Sequence, residues 1–168
     1  MSESAQKTQL SQAARERIDA ELRKYPPEQK RSAVMSSLAI AQDEHGWLSN
    51  EVMDAVAAYL GMPPVAVYEV ATFYSMYNLD PVGRNKLTVC TNLPCALSGA
   101  GLAAAHLKKK LGIEWNETTA DGCITLKEGE CFGACGDAPV ILQNNKTMHI
   151  GMTPDRIDGL VDDLKSRS

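Results

Sequence analysis

The 168-residue chain is long enough to bury a core without disulfide staples, as one large domain or two small ones. A formal net charge of −4 supplies no overall field to draw it to nucleic acid, and apolar runs such as AVAAYL (Ala55 to Leu60) fall far short of a membrane span. No charged-then-apolar signal opens the sequence, so the expectation is a cytoplasmic protein whose five cysteines are metal ligands or redox thiols, not a disulfide framework.

The first half reads as four short helices. Leu10 to Tyr25 spaces Ala14, Ile18 and Leu22 four apart and stops at Pro26-Pro27. A second pattern starts near Glu28, carries Val34, Leu38 and Ala41 on one face, and ends at His45-Gly46. Ser49 or Asn50 caps a third, with Val52, Val56, Tyr59 and Leu60 as its stripe and Gly61 as its stop. Pro63-Pro64 opens a fourth, which runs into the aromatic cluster FYSMY (Phe73 to Tyr77). The last two helices, joined at a glycine, have the outline of a DNA-binding helix-turn-helix. That function is excluded on charge: residues 49 to 80 contain Glu51, Asp54, Glu69 and Asp80 but no Lys, Arg or His to meet phosphate.

Asn78 to Lys86 reads as a linker between a helical domain, residues 1–80, and a second domain, residues 81–168. There the pattern becomes β-α-β-β-β-α: a strand Lys86 to Cys90, a helix Leu97 to Leu111 with Leu102, Ala105, His106 and Leu107 on one side, and strands Cys123 to Glu130 and Ala138 to Gln143. Asn144-Asn145 turns a hairpin into Lys146 to Ile150, and Thr153-Pro154 starts a last helix. The predicted fold class is α+β, a helical bundle followed by a thioredoxin-like mixed sheet. Lys108 to Lys110, the one basic run, reads as a solvated helix end.

Four cysteines form two pairs, C-x4-C at Cys90 and Cys95 and C-x3-C at Cys131 and Cys135, each pair on a loop after a strand. Four thiolates in one pocket require positive charge, which zinc or an iron–sulfur cluster supplies. Two wide loops suit two irons, each clasped by two sulfurs, better than one tetrahedral zinc, so spacing favours the cluster. A Rieske centre needs paired histidines, and His45, His106 and His149 lie in no such motif. A thioredoxin-style dithiol needs C-x2-C, which is missing. Cys123 has no partner at ligand spacing and reads as a free thiol acting as a small strand residue.

CTNLPC (Cys90 to Cys95), ECFGACGDAPV (Glu130 to Val140), GWLS (Gly46 to Ser49) and YEVATFYSMY (Tyr68 to Tyr77) resemble the E subunits of bacterial respiratory complex I, NADH:quinone oxidoreductase, a family of thioredoxin-like [2Fe–2S] ferredoxins. The resemblance runs from about residue 10 to 165, in the family's order. It implies that Cys90, Cys95, Cys131 and Cys135 bind one [2Fe–2S] cluster, and that the chain is an electron-transfer subunit of the NADH dehydrogenase. The implied partner is the flavin-bearing F subunit, which holds the FMN and NADH sites and leads on to the G subunit. The chain itself shows no G-x-G-x-x-G between a strand and a helix, so NADH and flavin would be the partner's. The implied location is cytoplasmic, peripheral to the inner membrane through the complex, without direct membrane contact. A related diaphorase subunit of an NAD-dependent formate dehydrogenase or hydrogenase is the alternative, and a structural zinc protein the distant one.

Overall fold

The computed structural model describes residues 10–167, and they fall into two compact units that meet in sequence between Pro81 and Val82. No helix among the described residues is long and apolar enough to cross a membrane.

The first unit is all helical. Helix α1, Gln12–Leu22, starts where the Ser11 hydroxyl accepts the Ala14 amide at 3.1 Å. It ends before the double proline, three residues short of the expected Tyr25. The pattern expected to be one helix from Glu28 is instead a 3-10 stretch, Pro27–Ala33, followed by α2, Val34–His45. Two successive prolines hold their φ angles fixed and offer no N–H, so the chain re-enters through tight turns, with the Gln29 amide on the Pro26 carbonyl at 2.8 Å. Ser49 caps α3, Asn50–Leu60, which closes on a left-handed Gly61, and α4 spans Pro64–Phe73. Ile18, Leu38, Leu48, Val56 and Val67 are fully buried in their shared core. The expected linker begins too early. Tyr77 and Asn78 are buried: the Tyr77 hydroxyl donates to the Met35 carbonyl, and the Asn78 carbonyl accepts the Leu48 amide, both at 2.8 Å.

The second unit is a four-stranded mixed sheet with helices. Its strands are β1 (Asn85–Cys90), β2 (Ile124–Gly129), β3 (Ile141–Gln143) and β4 (Thr147–His149), in the order β2-β1-β3-β4. Strand β1 pairs parallel with β2 and antiparallel with β3, which forms a hairpin with β4. Asn144 and Asn145 both take positive φ, 51° and 57°, and with Lys146 form a three-residue loop, since Gln143 pairs with Thr147 and the Lys146 amide reaches the Gln143 carbonyl at 2.9 Å. The single expected helix from Leu97 to Leu111 is two, α5 (Leu93–Leu97) and α6 (Ala100–Leu111), broken at Gly99 with φ 97°. That break resets the buried face. Ala100, Ala103, Ala104 and Leu107 face inward in place of the expected stripe, leaving Leu102 and Ala105 exposed.

Helix α7, Pro154–Ser166, closes the unit by burying Ile157, Val161 and Leu164 with Leu87, Val89, Leu126 and Ile141 of the sheet. Thr153 stands at its N-cap position but makes no side-chain capping bond. The basic run is not merely solvated: Lys108 reaches Glu114 at 2.6 Å and lies 4.5 Å over the Trp115 ring, and Lys110 meets Asp158 and Asp162. These pairs fasten α6 to α7 and to the segment before β2.

Candidate metal centre

Parallel pairing builds the site. In register, Cys90 at the end of β1 stands opposite Gly129 at the end of β2, so both strands deliver their C-terminal loops to the same edge. The first loop turns at Asn92, whose side-chain oxygen accepts the Leu93 amide at 3.0 Å and starts α5. One turn of that helix carries Cys95 back inward. The second loop leaves Gly129 and presents Cys131 and Cys135 around a left-handed Gly133, φ 76°. Its far end is anchored by the Gly151 amide on the Asp137 carbonyl at 2.8 Å and the Met152 amide on the Pro139 carbonyl at 3.0 Å.

The two thiol pairs occupy opposite environments. Cys90 and Cys95 are 1% and 2% exposed, in a small core of their own with Ala100 and Val140 and with Phe132, Ala134 and Ala138 packed against it. Cys131 and Cys135 are exposed, with their sulfurs 3.9 Å apart. The Gly133 amide donates to Cys131 Sγ at 3.3 Å, the kind of backbone bond that a thiolate rewards. Gly129 is required for close approach. A Cβ there would come within 2.5 Å of Thr88 Cγ2 and 2.8 Å of Phe132 Cζ, and Phe132 directly follows Cys131.

The four thiols sense one another. Burial first, then a hydrogen bond with Cys90 and the charges of Cys90, Cys135 and Cys131, push Cys95 up to about 11. The Cys135 thiol is raised chiefly by its hydrogen bond with Cys131 and by the Cys131 charge. Cys95 and Cys135 therefore hold their protons more firmly than a free thiol, and a metal bound there must displace them. Among the described residues no three His, Cys, Asp or Glu side chains are arranged to hold a metal ion; the thiols stand as two pairs. The loops are tied across the site by Thr91 Oγ1 donating to Glu128 at 2.8 Å and Asn92 Nδ2 donating to Glu130 at 3.3 Å.

Cys123 belongs elsewhere. It is fully buried with Leu87, Ile124 and Leu164 in the larger core of the sheet unit, its sulfur 3.6 Å from the Leu164 carbonyl, one residue ahead of β2 and not inside the strand. His106 pairs with Asp158 at 2.8 Å and His149 with Gln143 at 2.9 Å, and burial lowers the pKa of His149. The sequence reading missed α5 and the Thr91–Glu128 and Asn92–Glu130 ties. Asn92 followed by Pro94 carries the ordinary signal of a helix start, two positions ahead of Cys95.

The family model for thioredoxin-like [2Fe–2S] ferredoxins matches residues 18–165. The chain belongs to that family. Among its relatives, the NADH-quinone oxidoreductase E subunit of Rickettsia bellii is 44% identical over 146 residues, 86% of this chain and 87% of that one. The second E subunit of the same enzyme from Rhizobium meliloti is 43% identical over 152 residues, 90% and 89% of the two chains. Among solved structures, an NAD+-reducing [NiFe]-hydrogenase in its H2-reduced state superposes with a TM-score of 0.67 at 21% identity, over 78% of this chain. That likeness is one of fold, and this chain spans only 22% of the hydrogenase chain.

Proposed function

We propose that the chain is the E subunit of an NADH:quinone oxidoreductase and binds one [2Fe–2S] cluster through Cys90, Cys95, Cys131 and Cys135. One observation carries the reading: two thiol pairs, one buried and one exposed, are delivered by adjacent parallel strands to a single sheet edge. The donor set fits the group, since two irons take two sulfurs each and soft thiolates suit iron. When bound, the cluster supplies a one-electron redox centre. The chain's own residues do the rest. The β1 and β2 ends fix the spacing of the two loops, Gly133 offers an amide to sulfur, and Phe132 with Ala100 and Val140 keeps water from the buried pair.

On this reading the electron is exchanged with the FMN of the flavin-bearing F subunit, where NADH is oxidised, and the G subunit is reached through F. The chain then works on the cytoplasmic side, held near the inner membrane by the complex and not by any contact of its own. The 43–44% identity to E subunits over nearly nine-tenths of the chain supports this assembly, whereas the hydrogenase likeness bears on fold alone.

The test is anaerobic purification with counts of iron, sulfide and zinc, and an EPR spectrum after dithionite reduction. Two irons, two sulfides and a signal from one unpaired electron are expected, and serine at any of the four positions diminishes or alters that signal, because oxygen is a poorer ligand for iron. One zinc without iron, from cells supplied with iron, would replace electron transfer by a structural site. Cys123→Ser leaves the spectrum intact, and loss of the cluster in that variant would mean that the wrong four ligands were named.

A further inference from the structure

Asn92 touches both cysteine loops. Its side-chain oxygen accepts the Leu93 amide at 3.0 Å and starts α5, while its side-chain nitrogen donates to Glu130 Oε2 at 3.3 Å. Glu130 directly precedes Cys131, so its carboxylate is held between the loop of Cys90 and Cys95 and the loop of Cys131 and Cys135. Glu128 is held likewise, at 2.8 Å, by the hydroxyl of Thr91, the residue after Cys90. The Thr91 amide adds a last backbone rung to the Gly129 carbonyl at 3.2 Å, which keeps the two strand ends in step. Neutral donors position these carboxylates without cancelling their charge. The loops supply no cation either: residues 91–105 carry no charge, and residues 128–145 contain Glu128, Glu130 and Asp137 but no Lys or Arg.

We propose that Glu130, positioned by Asn92, lowers the reduction potential of the cluster, and that Glu128 on Thr91 adds to the effect. The inference rests on the function proposed above, under which the four thiolates hold a [2Fe–2S] group. Reduction adds one electron, and so one negative charge, to a group whose thiolates and sulfides already outweigh the charge of its irons. A fixed carboxylate beside it repels the reduced form more than the oxidised one, and so favours release of the electron over its retention. The Gly133 amide on Cys131 Sγ acts in the opposite direction, because a donor to sulfur stabilises added negative charge. Glu128 and Glu130 are exposed, so water and salt screen their effect.

The test is a redox titration of the cluster-loaded full chain, with dithionite as the electron source and EPR as the readout, at low and high salt. Glu130→Gln keeps the shape of the side chain and an oxygen for Asn92 but removes the charge. It is expected to raise the potential by about 59 mV, a tenfold shift of the one-electron equilibrium. Glu130→Lys should raise it further, Glu128→Gln, three positions from Cys131, should raise it less, and every shift should shrink at high salt. Asn92→Ser leaves an oxygen to cap α5 but is too short to hold Glu130, so it should raise the potential of the wild-type chain and change nothing in Glu130→Gln. Unmoved potentials in Glu130→Gln and Glu130→Lys overturn the proposal and leave the cluster assignment standing. Loss of the cluster from Glu130→Gln also overturns it, by making Glu130 a structural tie between the loops. A wild-type chain that binds no iron overturns the inference together with the function beneath it.

Discussion

The helical unit buries its apolar residues in one core that runs from Leu10 to Tyr77, whereas the sheet unit divides its own between two. The larger of those two joins α6 and α7 to the sheet, and the smaller is a cap of Cys90, Cys95, Ala100 and Val140 beneath the cysteine loops. The division keeps the work of folding apart from the work of the site. Large aliphatic side chains hold the sheet and helices together, while small residues and half-exposed loops are left free to accept a bulky inorganic group close to backbone.

Truncation tests this separation most severely. Leu38→Ala in the helical core and Leu126→Ala in the sheet core each remove a fully buried side chain and are expected to cost about 2–5 kcal/mol, read by denaturant unfolding. Leu38→Ala should leave the EPR signal of the loaded chain unchanged. Its loss would show that the helical unit supports the site after all.

Gly83→Ala acts on the sheet unit alone. A Cβ there would stand 2.9 Å from the Gly122 carbonyl oxygen and 3.2 Å from the Cys123 backbone, neither of which can swing aside. The expected cost is about 1–3 kcal/mol, and an unchanged melting temperature would mean that this segment shifts freely.

Smaller effects have opposite pH signs in the two units. Burial pushes the Tyr77 phenol up to about 12 from an ordinary 10, so the unfolded chain releases this proton first and the helical unit loses stability as pH rises from about 10 to 12. Tyr77→Phe removes that decline and gives up the bond to the Met35 carbonyl, at about 1 kcal/mol. Burial pulls Lys86 down to about 8 from 10.5. Here the unfolded state keeps its proton longer, and the sheet unit gains stability between about pH 8 and 10.5. Lys86→Met should flatten that rise in thermal melts, and the same slope in both proteins would exclude Lys86 as its source.

What was legible in the sequence followed from signals that act locally. Ser49 before an apolar period, Gly46 and Gly61 after two of them, and the Asn144-Asn145 turn all place element ends within a few residues of where they lie. The errors have a common cause: a local pattern yields to a contact made elsewhere. Asn78 looks like linker until the Leu48 amide claims its carbonyl, and Leu102 looks like core until Gly99 rotates α6 by starting it afresh at Ala100. At the site, spacing grouped the cysteines into pairs, but nothing in spacing says which pair is buried. That depends on α5 turning Cys95 inward and on Val140 arriving from forty-five positions away.

The parallel pairing of β1 with β2 also sets a schedule for synthesis. Antiparallel neighbours can zip from a turn, but these two strands meet only after the whole of α5 and α6 has crossed over between them. Cys90 and Cys95 are therefore made thirty-six or more positions ahead of Cys131 and Cys135, and until β2 docks on β1 they form only one side of the site. On the four-cysteine reading proposed above, a metal centre has its full set of ligands only once that crossover has closed.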